Sequence, residues 1–276
     1  MITIRDMLPE VILMRPDLKD SMGDEIGLWA IRNTIAAICR RTQILKDENT
    51  TANFAAGTSV SLITPNDGRL LRIERVRVGD LGVETPDYNG TWNASTNTPT
   101  LASTTTGKFY IVSVAGTQSS VSYEVGDVVV YAGSAWNKVP TTDFLELHQE
   151  NKPTVENHSR VAQSADGFPC GWAQDNGSIV FYPRLANDTP IIVSYSYVPG
   201  EDYTTIDFPP EAEDAIIPGA QSLLLSLPGK LQNLAMSQQL TRDFERGVRN
   251  VRATALFGYG GSPQYNPGFF AGRPSW

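Results

Sequence analysis

Residues 190–229 read PIIVSYSYVPGEDYTTIDFPPEAEDAIIPGAQSLLLSLPG, and the apolar pattern changes its period within them. Residues 190–199 are rich in β-branched and aromatic side chains and read as a strand. Beyond them, Pro209-Pro210-Glu211 sets proline and acid where a helix starts, and Ala215, Ile216, Ala220, Leu223, Leu224 and Leu227 follow at helical spacing. Pro218-Gly219 is expected to kink or interrupt that helix, and Leu227-Pro228-Gly229 to end it. A strand that hands over to helices in this way predicts the α+β class.

The pattern extends in both directions. A longer helix is expected over about 231–257, with Met236, Leu240, Phe244, Val248, Val251 and Ala255 on one side, stopped by Gly258-Tyr259-Gly260-Gly261. Upstream, 144–148 and 177–183 read as strands of the same sheet. So do 60–64 and 71–78, which Pro65-Asn66-Asp67-Gly68-Arg69 joins as a predicted hairpin, because Asp-Gly favours the positive φ of a tight turn. A first helix is expected over 24–46. Ser21 and Asp24 make a capping-box-like start, Leu28, Ile31, Ile35, Ile38 and Leu45 form one apolar stripe, and Arg40, Arg41 and Lys46 suit the helix dipole at its end. Composition breaks near Tyr88. From there to Val139 the chain is rich in Thr, Ser, Gly and Asn, with strand-like runs at 109–114 and 127–131. The expected organisation is a discontinuous core over 1–88 and 141–258, an inserted all-β module over 89–140, and an extended arm over 259–276. The core would combine a helical domain, made of the N-terminal helix and two or more C-terminal ones, with an antiparallel β domain.

With 41% hydrophobic and 19% charged residues over 276 positions, the chain can bury a substantial core, which excludes disorder for most of its length. No apolar run approaches the ~20 residues of a membrane span, and the first residues lack the basic and apolar regions of a secretory leader. Cys39 and Cys170 stand too far apart in type of surroundings and in sequence to suggest a disulfide framework or a zinc site.

Charge is distributed unevenly. The total is −8, yet residues 241–276 carry +3, leaving −11 on 1–240. Arg242, Arg246 and Arg249 fall at i, i+4 and i+7, on one helical face with Arg252 close by. Such arginines hold carboxylates or phosphates bidentately, or simply form a solvated face. A ring of identical subunits offers a third reading, in which the stripe meets an acidic neighbour. The arm carries Tyr265, Phe269, Phe270 and Trp276, which either dock on a partner or pack back on their own domain. Glu146, His148 and Glu150 alternate on an expected strand near His158, a weak metal-binding pattern. Cys170, within Gly167-Phe168-Pro169-Cys170-Gly171-Trp172, reads as a buried structural thiol. No nucleophile elbow, phosphate-binding loop or paired-Cys motif occurs. In the module, Trp92, Tyr110, Tyr123, Tyr131 and Trp136 read as either core or a glycan-stacking surface.

The order of parts resembles the head-to-tail adaptor (connector) proteins of tailed bacteriophages, especially short-tailed ones. The residues that carry the likeness are Trp29-Ala30-Ile31-Arg32-Asn33-Thr34-Ile35-Ala36-Ala37-Ile38-Cys39-Arg40-Arg41-Thr42, Phe181-Tyr182-Pro183, Tyr197-Val198-Pro199, Phe208-Pro209, Pro218-Gly219-Ala220 and Leu227-Pro228-Gly229, followed by the long helix with Ala235 and Phe244. The module, with Gly90-Thr91-Trp92-Asn93-Ala94, Asn97-Thr98-Pro99-Thr100-Leu101, Tyr110-Ile111-Val112, Val125-Gly126-Asp127 and Gly133-Ser134-Ala135-Trp136, resembles a β module of phage tail and fibre proteins. The resemblance implies a non-enzymatic virion protein without a cofactor or metal. It would be assembled in the host bacterial cytoplasm as a homo-oligomeric ring of about twelve copies beneath the portal protein. Its partners would be the portal, the nozzle or tail-tube proteins, and genomic DNA passing without sequence-specific binding; no membrane is implied. Tyr259, Tyr265, Phe269, Phe270 and Trp276 would be portal anchors, and Arg242, Arg246, Arg249 and Arg252 an inter-subunit or portal interface. The alternative is a glycan-binding tail component contacting sugar through Trp92 and Trp136.

Overall fold

Helices and sheets segregate into two units in the structure, a computed structural model that describes residues 2–49, 51–55, 60–61, 68–102, 105–150, 167–175, 178–229 and 231–257. The first unit takes Met1–Leu45, Thr64–Arg69 and Tyr197–Trp276; the second takes Lys46–Ile63 and Leu70–Ser196. The α+β class expected from the sequence is the one observed.

The first unit is built from α1 (Ile4–Ile12), α2 (Pro16–Met22), α3 (Glu25–Thr42), α4 (Glu213–Ser226) and α5 (Leu234–Phe257), with a short ribbon of β1 (Ile2–Thr3) and β17 (Thr205–Ile206). In α3 the expected stripe is buried at Leu28, Ile31, Ile35 and Ile38. The helix ends four residues sooner than expected, at Gln43, whose left-handed φ of 51° lets its N–H donate to the Cys39 carbonyl. Of the kink or interruption expected at Pro218-Gly219, the interruption is corrected: α4 is unbroken across Pro218. Gly219 instead serves packing, since a Cβ there would lie 2.5 Å from Thr34 Cγ2 and 2.7 Å from Phe244 Cδ2.

Arg15, in the turn between α1 and α2, is fully buried. Its Nη1 donates to the carbonyls of Leu224 (2.7 Å) and Leu227 (2.9 Å), while Nε and Nη2 donate to the two Asp17 carboxylate oxygens at 2.8 and 3.0 Å. The guanidinium thereby caps the end of α4, adding a second donor to the Leu224 carbonyl, which also accepts from Leu227 N–H, and supplying one to the Leu227 carbonyl. Gly229, at φ 152°, comes so close that a Cβ would fall 2.4 Å from Arg15 Nη2.

The second unit contains β2 (Lys46–Glu48), β3 (Ala52–Phe54), β4 (Val60–Ser61), β5 (Arg69–Val78), β6 (Asp87–Asn93), β7 (Lys108–Val114), β8 (Gly116–Gln118), β9 (Val121–Tyr123), β10 (Val128–Ala132), β11 (Ala135–Val139), β12 (Leu145–Glu146), β13 (His148–Gln149), β14 (Gly171–Asp175), β15 (Ser178–Tyr182) and β16 (Thr189–Val198). They form three main sheets, ordered β12-β5-β16-β2 with β3 also on β16, β13-β14-β15-β4, and β11-β10-β7-β6, beside a small β8-β9 ribbon. The predicted hairpin of 60–64 with 71–78 is corrected. Val60 and Ser61 pair with Ile179 and Ser178, whereas β5 lies between β12 and β16 in another sheet. The expected strand at 144–148 likewise splits, Leu145–Glu146 joining β5 and His148–Gln149 joining β14 in parallel.

The β6-β7-β10-β11 sheet occupies the predicted module, and its alternation decides what it touches. Phe109, Ile111, Val128 and Val130 face one way, into a core shared with Leu81, Phe144 and Ile192 from outside residues 89–140. Trp92, Ala94, Val112, Tyr123 and Val129 make a second core on the other side. Period-two alternation explains the division. Asp127, almost fully buried, ties the turn before β10: its Oδ2 accepts from Glu124 N–H and lies 2.8 Å from Lys138 Nζ, and its Oδ1 accepts from Thr141 N–H.

Candidate functional site

The cationic face of α5 is made by what the opposite face must bury. Asn233 Oδ1 accepts from Met236 N–H, the first turn's cap. Ser237 then bonds Ser222 across the α4–α5 crossing, and Ser222 Oγ also reaches Thr241 Oγ1 at 2.8 Å. Phe244, Gly247, Val248 and Val251 continue the buried side; a Cβ on Gly247 would sit 2.6 Å from Ala215 Cβ. Arg41 of α3 pairs with Glu245 and stands 5.3 Å from the Phe244 ring centroid, fixing α3 to α5. With that side committed, Arg242, Arg246, Arg249 and Arg252 are all exposed. Arg246 approaches Asp243 at 3.5 Å, and the side chains of the other three have no partner among the described residues. The structure thus keeps the predicted stripe together. The predicted anchors Tyr259, Tyr265, Phe269, Phe270 and Trp276 lie outside the described residues.

A groove of about 940 Å³ runs along the other exposed side of α3. Trp29, Arg32 and Arg40 line it from α3, with Met22 from α2 and Tyr203 and Pro228 from later loops. Trp29 is 44% exposed, and Arg32 Nε is sealed from solvent without a hydrogen-bond partner. Burial pushes the Tyr203 phenol up, against the pull of Arg32. An aromatic ring beside a guanidinium whose Nε is unpaired suits a ligand that is partly apolar and partly anionic. Sequence reasoning followed the buried stripe of α3 and passed over this groove. Its signal was present in Glu25, Trp29, Arg32, Ala36 and Arg40, which share the face opposite Ile31 and Ile38.

In the module the two tryptophans separate. Trp92 is completely buried, its Nε1 donating to Asn97 Oδ1 at 3.1 Å and its ring edge-on to Tyr123. Of its two readings the core one holds and the alternative glycan contact is corrected, since no ring face is open. Trp136 is half-buried between Tyr110 and Tyr131, at 5.8 and 5.3 Å between centroids.

Glu146 and His148 are exposed on strands of different sheets, and Glu146 lies 3.9 Å from Arg75. His158 is outside the described residues. Among the described residues no three His, Cys, Asp or Glu gather as a metal site, and no helix is long and apolar enough to cross a membrane. The expectation of a buried thiol at Cys170 is corrected: it is exposed, with Sγ donating to the Tyr182 carbonyl. Cys39 is the buried one, and burial pushes its thiol up to about 12.

No protein-family model matches this chain, and no curated protein matches it.

Proposed function

We propose that this chain is a structural head-to-tail adaptor of a bacteriophage virion, a ring-forming protein that sits beneath the portal, extends the DNA channel and receives the tail. The observation that carries the reading is the end of the helical unit. There a long helix, anchored through Phe244, Gly247 and Val251, keeps four arginines exposed and leads into the aromatic-rich segment 259–276. A stiff, charged stem followed by large aromatics is chemistry for holding another protein, since aromatic and arginine side chains concentrate binding energy. The resemblance in 29–42 and around 181–229 supports the same reading. In it the arm grips the portal, the tail proteins bind the opposite side of the ring, and the protein performs no catalysis.

The test is the native mass of the protein mixed with the portal ring of the same virus. A discrete complex heavier by about a dozen copies is expected, and no association overturns the reading. Truncation after Gly261 is expected to abolish that complex while leaving the far-ultraviolet circular dichroism unchanged; undiminished binding removes the arm from the proposal.

The half-open Trp136, flanked by Tyr110 and Tyr131, keeps one specific observation for the alternative, a glycan-binding tail component. Saccharide binding lost on Trp136→Ala in the folded chain would support it, and silence across a glycan array would dismiss it.

A further inference from the structure

The exposed arginine face of α5 has an acidic complement on the same unit. Between Glu201 and Asp214 the chain holds six acids and no Lys or Arg. Glu201, Asp202, Glu211, Glu213 and Asp214 are exposed, and none of their carboxylates has a partner among the described residues. The guanidinium groups of Arg242, Arg249 and Arg252 are equally without partners among the described residues. Each copy therefore presents cationic side chains and anionic ones that its described residues leave largely unpaired. We infer that α5 of one copy docks its arginine face on the 201–214 segment of the next copy.

A contact of either surface with its own copy would oppose like charges, which complementary interfaces avoid. Pairing the two different surfaces satisfies charge either reciprocally, in a two-fold dimer, or head to tail, in a heterologous contact that closes into a ring when the rotation allows; the adaptor reading selects the second. Arginine suits the role, because its fork engages carboxylates bidentately. The inference deepens the adaptor reading and rests on it only for the closure into a ring; the pairing itself stands on the two surfaces.

The test uses two charge-reversed full-length chains, Arg246→Glu/Arg249→Glu and Glu213→Arg/Asp214→Arg, followed by sedimentation velocity at high protein concentration and low salt. Glu213 and Asp214 lie in the first turn of α4, where acids favour the helix dipole. Glu201→Lys/Asp202→Lys, outside any helix, is the second acid-side variant if the first fails to fold. Wild type is expected to self-associate and to dissociate as salt rises. Each reversed chain alone is expected to associate about tenfold more weakly, and an equimolar mixture to recover association, because each reversed stripe then meets a reversed acid segment and each intact stripe an intact one, in alternation. A wild type that stays monomeric at low salt, reversals without effect, or a mixture that does not recover overturns the inference. So does an arginine reversal that abolishes DNA binding and leaves self-association unchanged. Portal binding is read separately. If an arginine-reversed chain still builds the portal complex as wild type does, the pairing falls and the adaptor reading stands; if the pairing behaves as expected but no portal complex forms, the adaptor reading falls alone.

Discussion

Arg15 concentrates more polar work than any other buried side chain described above. Its guanidinium donates to carbonyls at the end of α4, to the Pro228 carbonyl at 3.4 Å, and to Asp17. Arg15→Met keeps a long side chain but removes the guanidinium from the Leu227 carbonyl and the Asp17 carboxylate and leaves Leu224 with its Leu227 N–H donor alone, and is expected to lower unfolding free energy by about 3 kcal/mol in urea titration. Asp17 adds a pH dependence with a definite sign. The Arg15 hydrogen bond holds its carboxyl below the usual carboxylate range. A group whose folded value is depressed contributes stability that is present above its unfolded value and lost as pH falls through the folded one. Wild type is therefore expected to lose stability on acidification below about pH 4 more steeply than Asp17→Asn, as thermal melts across that range would register. Equal acid slopes for the two chains would mean that Asp17 contributes nothing to the acid limb. None of this was legible in the sequence, because the Leu224 carbonyl that Arg15 caps is 209 positions away and no local pattern encodes such a pairing.

Elements with a sustained period were the legible part. α3 and α5 announced themselves through stripes at helical spacing, and β7, β10 and β16 through β-branched runs. What failed was pairing. Asp67-Gly68 signals a turn, yet turn propensity does not choose a partner for the flanking strands, and β4 pairs with β15 while β5 pairs with β16. α1 was missed although Ile4, Met7 and Val11 are buried one helical turn or two apart, because Pro9 inside it reads as a breaker. The crossing of α4 with α5 was also invisible, since it depends on the absence of side chains at Gly219 and Gly247. Gly247→Val forces the new side chain against Ala215 and is expected to cost about 1–3 kcal/mol by overpacking. The same substitution at the exposed Ala253 should cost less than about half a kcal/mol. Chemical denaturation of the two variants side by side separates a crossing effect from simple helix propensity.

At the scale of the whole molecule, the composition change near Tyr88 suggested a separate module but said nothing of its attachment, and residues 89–140 fall within the single unit that takes Lys46–Ile63 and Leu70–Ser196. One face of its sheet shares a core with Leu81, Phe144 and Ile192, so the β unit is expected to open as a single cooperative body. Phe109→Ala, at a fully buried position, should cost about 3–5 kcal/mol and lower hydrogen-exchange protection in β16 together with β10. Loss confined to β10 would mean that the module opens alone. The two thiols described earlier have a further use. Cys39 lies in the helical unit, sealed and with its thiol pushed up to about 12, while Cys170 lies in the β unit and is open to solvent. Only a thiolate is alkylated, so Cys170 should label in the native state and Cys39 only during excursions that expose α3. After Cys170→Ser, the labelling rate becomes a clock for the breathing of the helical unit alone, a built-in stopwatch by which the opening of one half of the chain can be timed while the other half stays silent.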